Sequence, residues 1–229
     1  MTRLTWDVIR LRTYEVGVDR GVFYSSSGPG VVWPGLVQVS EINANQDVVS
    51  EYLDGRKFFT SVMRPDFQAQ IQAFTTPRGF EACEGQVEIA PGLYATNQIR
   101  EPFGFSYRTL VGNPVEGSDH HYRIHVVYNA IAVSEGVLLQ TMSDSPESAL
   151  RQWTIHSIPH HRMHYTWFES ENGVELIRQE SAYFPVSHLS VSSRTMSPET
   201  LGYLEDVLYG TDSTSPSLPS PDAFIEIVR

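Results

Sequence analysis

The sequence predicts a mainly β, α+β fold: a β-sandwich or barrel with one flanking C-terminal helix and long loops. Three observations predict it. Residues 67–73 read Phe-Gln-Ala-Gln-Ile-Gln-Ala, with Phe67, Ala69, Ile71 and Ala73 on one face and Gln68, Gln70 and Gln72 on the other. Strict alternation of this kind is the pattern of a half-buried strand. The stretch from Tyr122 to Val133 is dense in β-branched and aromatic residues, as a more buried strand requires. Only one segment, near the end, has helical spacing together with helix-ending residues at both ends.

Further strands are expected around Gly21–Tyr24, Leu36–Ile42, Lys57–Val62, Phe103–Leu110, Arg151–Ile158, Tyr165–Glu169 and Val174–Tyr183. Asn172-Gly173 between the last two reads as a hairpin turn, because both residues tolerate positive φ. The polar stretch Ile42–Gly55 is compatible with a long hairpin arm or a loop. Many short strands with turns between them point to a sandwich or barrel. The helix is expected over 197–209. Ser197 can cap it, Pro198 suits its first position and Glu199 its first turn. Leu201, Leu204 and Leu208 share a face, and Gly210 can end it. Thr211–Pro221, rich in Ser, Thr and Pro, reads as an extended linker. Ala223–Val228 fits a last strand or a short docking segment. The expected organisation is therefore one domain, 1–210, followed by an extended C-terminal segment, 211–229.

Composition narrows the function. The chain has 229 residues, 41% of them hydrophobic, enough for a core. Its 16 basic and 27 acidic residues give a net charge of -11. Tight nucleic-acid binding needs clustered Lys and Arg, and the longest basic cluster is Arg56-Lys57. An acidic surface suits solubility, or a channel that lets DNA pass without sticking. A single cysteine, Cys83, allows no internal disulfide and no thiolate zinc cluster, so a reducing cytosol is expected. Met1–Arg10 lacks the apolar run of a signal peptide, and no run of apolar residues is long enough for a membrane span.

Residues that carry chemistry are present without forming a motif. Six of the eight histidines are His120, His121, His125, His160, His161 and His164. On strands His121 and His125 share a face, as do His160 and His164, and two such pairs on neighbouring strands would be able to meet. Their spacing matches no zinc motif, and turn or strand-end histidines are the plainer reading. Ser106 sits in a Gly-Phe-Ser-Tyr-Arg run that lacks the closing glycine of a nucleophile elbow, inside an expected strand. Glu169 with Glu171, and Glu205 with Asp206, read as solvated charges. Gly28-Pro29-Gly30 is a turn. Trp6, Trp33, Trp153 and Trp167 are spread along the chain, which suits core or interface packing. No catalytic residue, cofactor or metal is expected, and the chain is not expected to be an enzyme.

Several stretches resemble the major tail, or tail-tube, proteins of siphophages, especially those of actinobacterial hosts. They are Gly17-Val-Asp-Arg-Gly-Val-Phe-Tyr24, Val32-Trp-Pro-Gly-Leu36, Tyr52-Leu-Asp-Gly55 and Ala73-Phe-Thr-Thr-Pro-Arg-Gly-Phe-Glu-Ala-Cys83. Phe103-Gly-Phe-Ser-Tyr-Arg-Thr109, Tyr122-Arg-Ile-His-Val-Val-Tyr128 and Leu204-Glu-Asp-Val-Leu-Tyr-Gly210 follow. None is a catalytic fingerprint; the specificity lies in their order, which spans nearly the whole chain.

The resemblance implies a tail-tube-like β-sandwich whose copies form six-membered rings. The rings stack into a hollow tube through which the genome is ejected. It implies tape-measure, terminator and distal-tail proteins as partners, no specific DNA binding, no membrane, synthesis in the host bacterial cytoplasm and residence in the virion tail. Within that frame Gln68, Gln70 and Gln72 are candidates to line the lumen, the alternative being that they face solvent or another element. Asn43, Asn45, Asp47 and Asp54 mark a candidate arm between rings. Two other readings compete: a distal-tail adaptor or terminator that forms a single ring, and a β-sandwich module binding host-surface sugars.

Overall fold

The computed structural model describes residues 12–26, 28–43, 48–62, 67–137, 139, 149–171 and 174–228; side chains are described except at 43, 48–49, 61–62, 118–119 and 160–185. The chain is mainly β with two helices. Its centre is an eight-stranded sheet. The strands run in the order β2 (Val31–Val32), β1 (Tyr14–Tyr24), β9 (Phe103–Asn113), β10 (Gly117–Ser134), β11 (Arg151–Ser157), β6 (Phe67–Ala73) and β3 (Leu36–Asn43), with β14 (His188–Ser192) also on β10. Every pairing is antiparallel. Three further hairpins stand apart from it: β4 (Val48–Leu53) with β5 (Arg56–Val62), β7 (Val87–Ala90) with β8 (Leu93–Ala95), and β12 (His160–Glu171) with β13 (Val174–Val186).

Alternation along the strands puts a core on each face of the sheet. On the inner face Ala69, Ile71 and Ala73 of β6 meet Phe103, Phe105 and Tyr107 of β9, with Trp33, Phe80 and Trp153 filling the centre. The Phe80 ring lies edge-on to Trp153 and to Phe23, at 5.5 Å from each. Such aromatic pairs add about 0.5–1.5 kcal/mol each beyond burial. The buried indoles are satisfied, Trp33 Nε1 donating to Thr75 O at 2.9 Å and Trp153 Nε1 to Glu84 Oε1 at 2.7 Å. Cys83 is a free thiol buried in this core.

On the outer face Val22 and Tyr24 of β1 and Ile124, Val126 and Tyr128 of β10 are covered by α1 (Pro198–Tyr209). Leu201, Leu204 and Leu208 are the covering face, as their spacing predicts. The helix ends follow the expected chemistry. Thr200 N donates to Ser197 Oγ at 3.1 Å, and Gly210, at φ 79, donates its N–H to Asp206 O. The tyrosine hydroxyl of Tyr24 donates to Leu208 O at 2.8 Å, tying the helix end to the sheet.

The C-terminal segment is extended as far as Ser220, and the residues read as a last strand or a short docking segment are not a strand but form a second helix, α2 (Pro221–Val228). Ser220 begins it, accepting from Ala223 N through Oγ and from Phe224 N through its carbonyl. Pro221 at the first position and Phe224 and Ile227 three apart give it a helical face, which packs into the outer core. The linker before it lies against the domain as a strap. Gly30 N donates to Pro216 O at 2.8 Å and Ser217 N to Val207 O at 2.9 Å.

Some strands are longer or newer than the sequence predicts. β1 begins at Tyr14 because bulges near Gly17 (φ 70) and Arg20 (φ 49) break its alternation without ending it. The sequence pattern does not announce β2, β7, β8 and β14. Ile42–Gly55 resolves into the end of β3 and the β4–β5 hairpin, with Asp54 (φ 48) and Gly55 (φ 73) as its two-residue turn. Asn45 and Asp47 lie outside the described residues. So do Asn172 and Gly173, although Glu171 pairs with Val174 across them.

Two features place the site described next. β10 carries β14 and then β11 along the same edge: residues 123–127 pair with β14, and 130–134 with β11. Asn129, at φ 46, marks the changeover. The sheet also curls, so that Glu41 on β3 reaches Tyr107 on β9 and His125 on β10.

Candidate functional site

Where β3, β9, β10 and β14 converge, polar side chains sit on the inner face of the sheet. His125 and Val127 alternate with the outward Ile124 and Val126, so His125 points inward and is 5% exposed. His188 opposes Val127 across the β10–β14 ladder and shares its face. Glu41 arrives from β3 with its side chain 45% exposed. His125 Nδ1 lies 3.2 Å from Glu41 Oε1 and 3.2 Å from His188 Nε2. The other ring nitrogen, Nε2, faces Thr109 Oγ1 at 3.1 Å and Glu15 Oε1 at 3.3 Å. Glu15 is in turn paired with Arg123 at 2.9 Å.

The rings are held by stacking. His125 lies on Tyr107 with centroids 4.6 Å apart and 3° between planes, and His188 lies on Phe67 at 4.5 Å and 26°. The Tyr107 hydroxyl donates to Glu41 Oε1 at 2.6 Å. Hydrogen bonding from His125, then from Tyr107, holds the Glu41 carboxyl down to about 2 despite partial burial. Burial pushes His188 down to about 4, so it is neutral at pH 7. Burial, reinforced by the Glu41 carboxylate, raises the Tyr107 phenol.

Among the histidines singled out in the sequence whose side chains are described, only His125 is in the cluster. His121 opposes Val111 of β9, and its ring lies 4.0 Å from His120, which contacts Glu116. His160, His161 and His164 are on β12, and their side chains lie outside the described ones, as do those of Glu169 and Glu171. Glu41 and His188 carry weak sequence signals, for different reasons. Glu41 is one carboxylate in an otherwise ordinary strand. His188 precedes Leu189-Ser190-Val191-Ser192, whose period of two is the signal that would have placed it on a strand.

The other candidate residues are placed as follows. Gln68, Gln70 and Gln72 form the outward, half-buried face of β6. Gln70 Nε2 donates to both oxygens of Glu135 at 3.1 Å, and Gln72 Nε2 to Gln152 Oε1 at 3.1 Å. Glu135 also accepts from Thr154 and Gln152, and these bonds, Thr154's first, hold its carboxyl below the ordinary range. Asn43 ends β3, and Asp54 is exposed at the tip of the β4–β5 hairpin. Ser106 is fully buried, its hydroxyl 3.0 Å from that of Tyr24. Glu205 and Asp206 are on α1, Glu205 pairing with Arg20 at 3.6 Å.

Two hairpins expose apolar side chains. Tyr52, Leu53, Phe58 and Phe59 of β4–β5 are 67%, 62%, 74% and 52% exposed. Val87, Ile89, Leu93 and Tyr94 do the same on β7–β8. Among the described residues no helix is long and apolar enough to cross a membrane.

No protein-family model and no curated protein matches the chain. Among solved structures it is similar to a chain of an extracellular contractile injection system, the PVC sheath–tube complex in its extended state, determined by cryo-electron microscopy. The likeness has a TM-score of 0.37 at 14% identity, covering 60% of this chain and 83% of that one.

Proposed function

We propose that the chain is a structural subunit of a phage tail, assembling with copies of itself into stacked rings that form a tail tube. The observation that carries this reading is the β4–β5 hairpin. A two-stranded ribbon is marginal by itself in water, and this one holds four large apolar side chains exposed. Exposed apolar patches of this kind mark protein–protein contacts. An arm on every copy, received by the next, is a head-to-tail contact, and such contacts build rings or filaments. The order of motifs resembling siphophage tail-tube proteins supports the same reading and supplies its particulars. These are six-membered rings, tape-measure, terminator and distal-tail partners, genome passage without specific binding, and residence in the virion tail. Asp54 sits at the arm's tip.

In this reading Gln68, Gln70 and Gln72, with Gln70 bonded to Glu135 and Gln72 to Gln152, offer the uncharged-to-acidic strip that a DNA conduit requires, since phosphates are repelled or left uncontacted. The reading involves no catalysis. Negative-stain electron microscopy of the purified chain, concentrated from a dilute stock, tests it. Tubes or stacked rings support it. Rings that never stack point to an adaptor or terminator, and a density map with the glutamines on the outer wall removes their lumen role.

A further inference from the structure

We propose that Glu41, His125 and His188 form a binding site for a divalent transition-metal ion of the zinc class, which staples β3, β10 and β14 together. The three ligand atoms all lie within 4.8 Å of one another. A zinc ion bound at about 2.0–2.2 Å to nitrogen and oxygen in a tetrahedron sets its ligands roughly 3.3 Å apart. His125 Nδ1 already stands 3.2 Å from both Glu41 Oε1 and His188 Nε2. Two edges of the ligand triangle therefore have the length a metal needs before anything moves.

The surroundings prepare the ligands. A metal-bound histidine hands its other N–H to a carboxylate or similar acceptor, which fixes the tautomer. Glu15 Oε1 and Thr109 Oγ1 stand at His125 Nε2 in that role, and the Thr109 hydroxyl donates its own proton to Glu15. With Nε2–H held there, a metal ion has only to displace the Nδ1 proton that His125 otherwise donates to Glu41, and Nδ1 then faces the space between Glu41 and His188. Stacking on Tyr107 and Phe67 fixes both rings, and the Tyr107 hydroxyl fixes the carboxylate. The partly exposed side of Glu41 gives the ion a route in and leaves the fourth position to water. Nitrogen and carboxylate donors at this spacing suit zinc, cobalt or nickel better than calcium or magnesium, which favour all-oxygen sites. The proposal is independent of the tail reading.

The test is isothermal titration of zinc into the chelator-treated full chain, with cobalt absorbance as a second readout. The expected result is one ion per chain, visible cobalt bands of tetrahedral type, and a raised melting temperature. Glu41→Gln is expected to weaken zinc at least tenfold and to change the cobalt spectrum, and His188→Gln to abolish binding. His156→Gln, on β11 and outside the cluster, is expected to change nothing. Because His188 is half-buried and stacked on Phe67, its variant is the one more exposed to misfolding, so half-exposed Glu41→Gln decides the matter, with its circular dichroism matched to wild type. No zinc binding by the wild-type chain overturns the proposal. So does binding whose affinity and cobalt spectrum are the same in Glu41→Gln, which would place the ion elsewhere.

Discussion

Replacing Phe58 and Phe59 together by alanine is the sharpest test of the arm. Fully burying a phenylalanine side chain contributes about 1.5–3 kcal/mol. Phe58 is 74% and Phe59 52% exposed in the single subunit, so most of that gain is still to be made on assembly. Across the pair this comes to roughly 2–4 kcal/mol per arm, less the cost of ordering side chains at the contact. At about 1.4 kcal/mol per tenfold, even the lower end raises the concentration needed for assembly roughly thirtyfold. The isolated subunit should hardly notice, because substitutions at exposed positions change stability by about 0.5 kcal/mol or less. Sedimentation across a concentration series measures the first quantity, and urea unfolding of the dilute subunit the second. If the double variant assembles at the wild-type concentration, the arm is not the contact. If its unfolding midpoint drops sharply, the two rings are part of the subunit's own core.

Other outcomes follow from the packing. Leu204→Ala, at a fully buried site between α1 and β10, should cost about 2–5 kcal/mol, read as a lower urea midpoint at unchanged slope. Ser197→Ala removes the acceptor for Thr200 N and should cost about 0.5–2 kcal/mol. Gly30→Ala places a methyl 2.7 Å from the Tyr24 ring and 2.9 Å from Pro216. It should loosen the strap, which limited proteolysis between 211 and 220 detects as faster cleavage. As pH falls, the depressed Glu135 carboxyl should lose its contribution to stability, which is fully present above its unfolded value. Glu135→Gln should flatten that part of the acid limb of a melting profile.

Much of the fold was legible because strand alternation and helix capping are local. The Gln face of β6 and the Ser197, Leu201, Leu204, Leu208 and Gly210 set stand as the sequence predicts. α2 was not legible. Phe224, Ile225 and Ile227 satisfy a short strand and a short helix about equally, and the capping by Ser220 decided between them. β1 was half legible, since positive φ at Gly17 and Arg20 hides a strand from a test based on alternation. The His–Glu cluster was legible only at His125. Its other members arrive through the curl of the sheet and the late return of β14, which no spacing along the chain records.

That late return governs when the central sheet becomes complete. Until residues 188–192 leave the ribosome, the edge of β10 from Arg123 to Val127 has no neighbour on one side. An unpaired edge next to Ile124 and Val126 is an invitation to wrong partners. The interval before β14 exists spans about sixty residues, several seconds at ordinary rates of synthesis. During that time the arms of β4–β5 are already made. Under the proposed assembly, a subunit whose sticky arm precedes the closure of its own sheet has to be kept apart from its siblings until its last strand is in place, so the order of synthesis, as much as the final contacts, would decide whether copies join correctly.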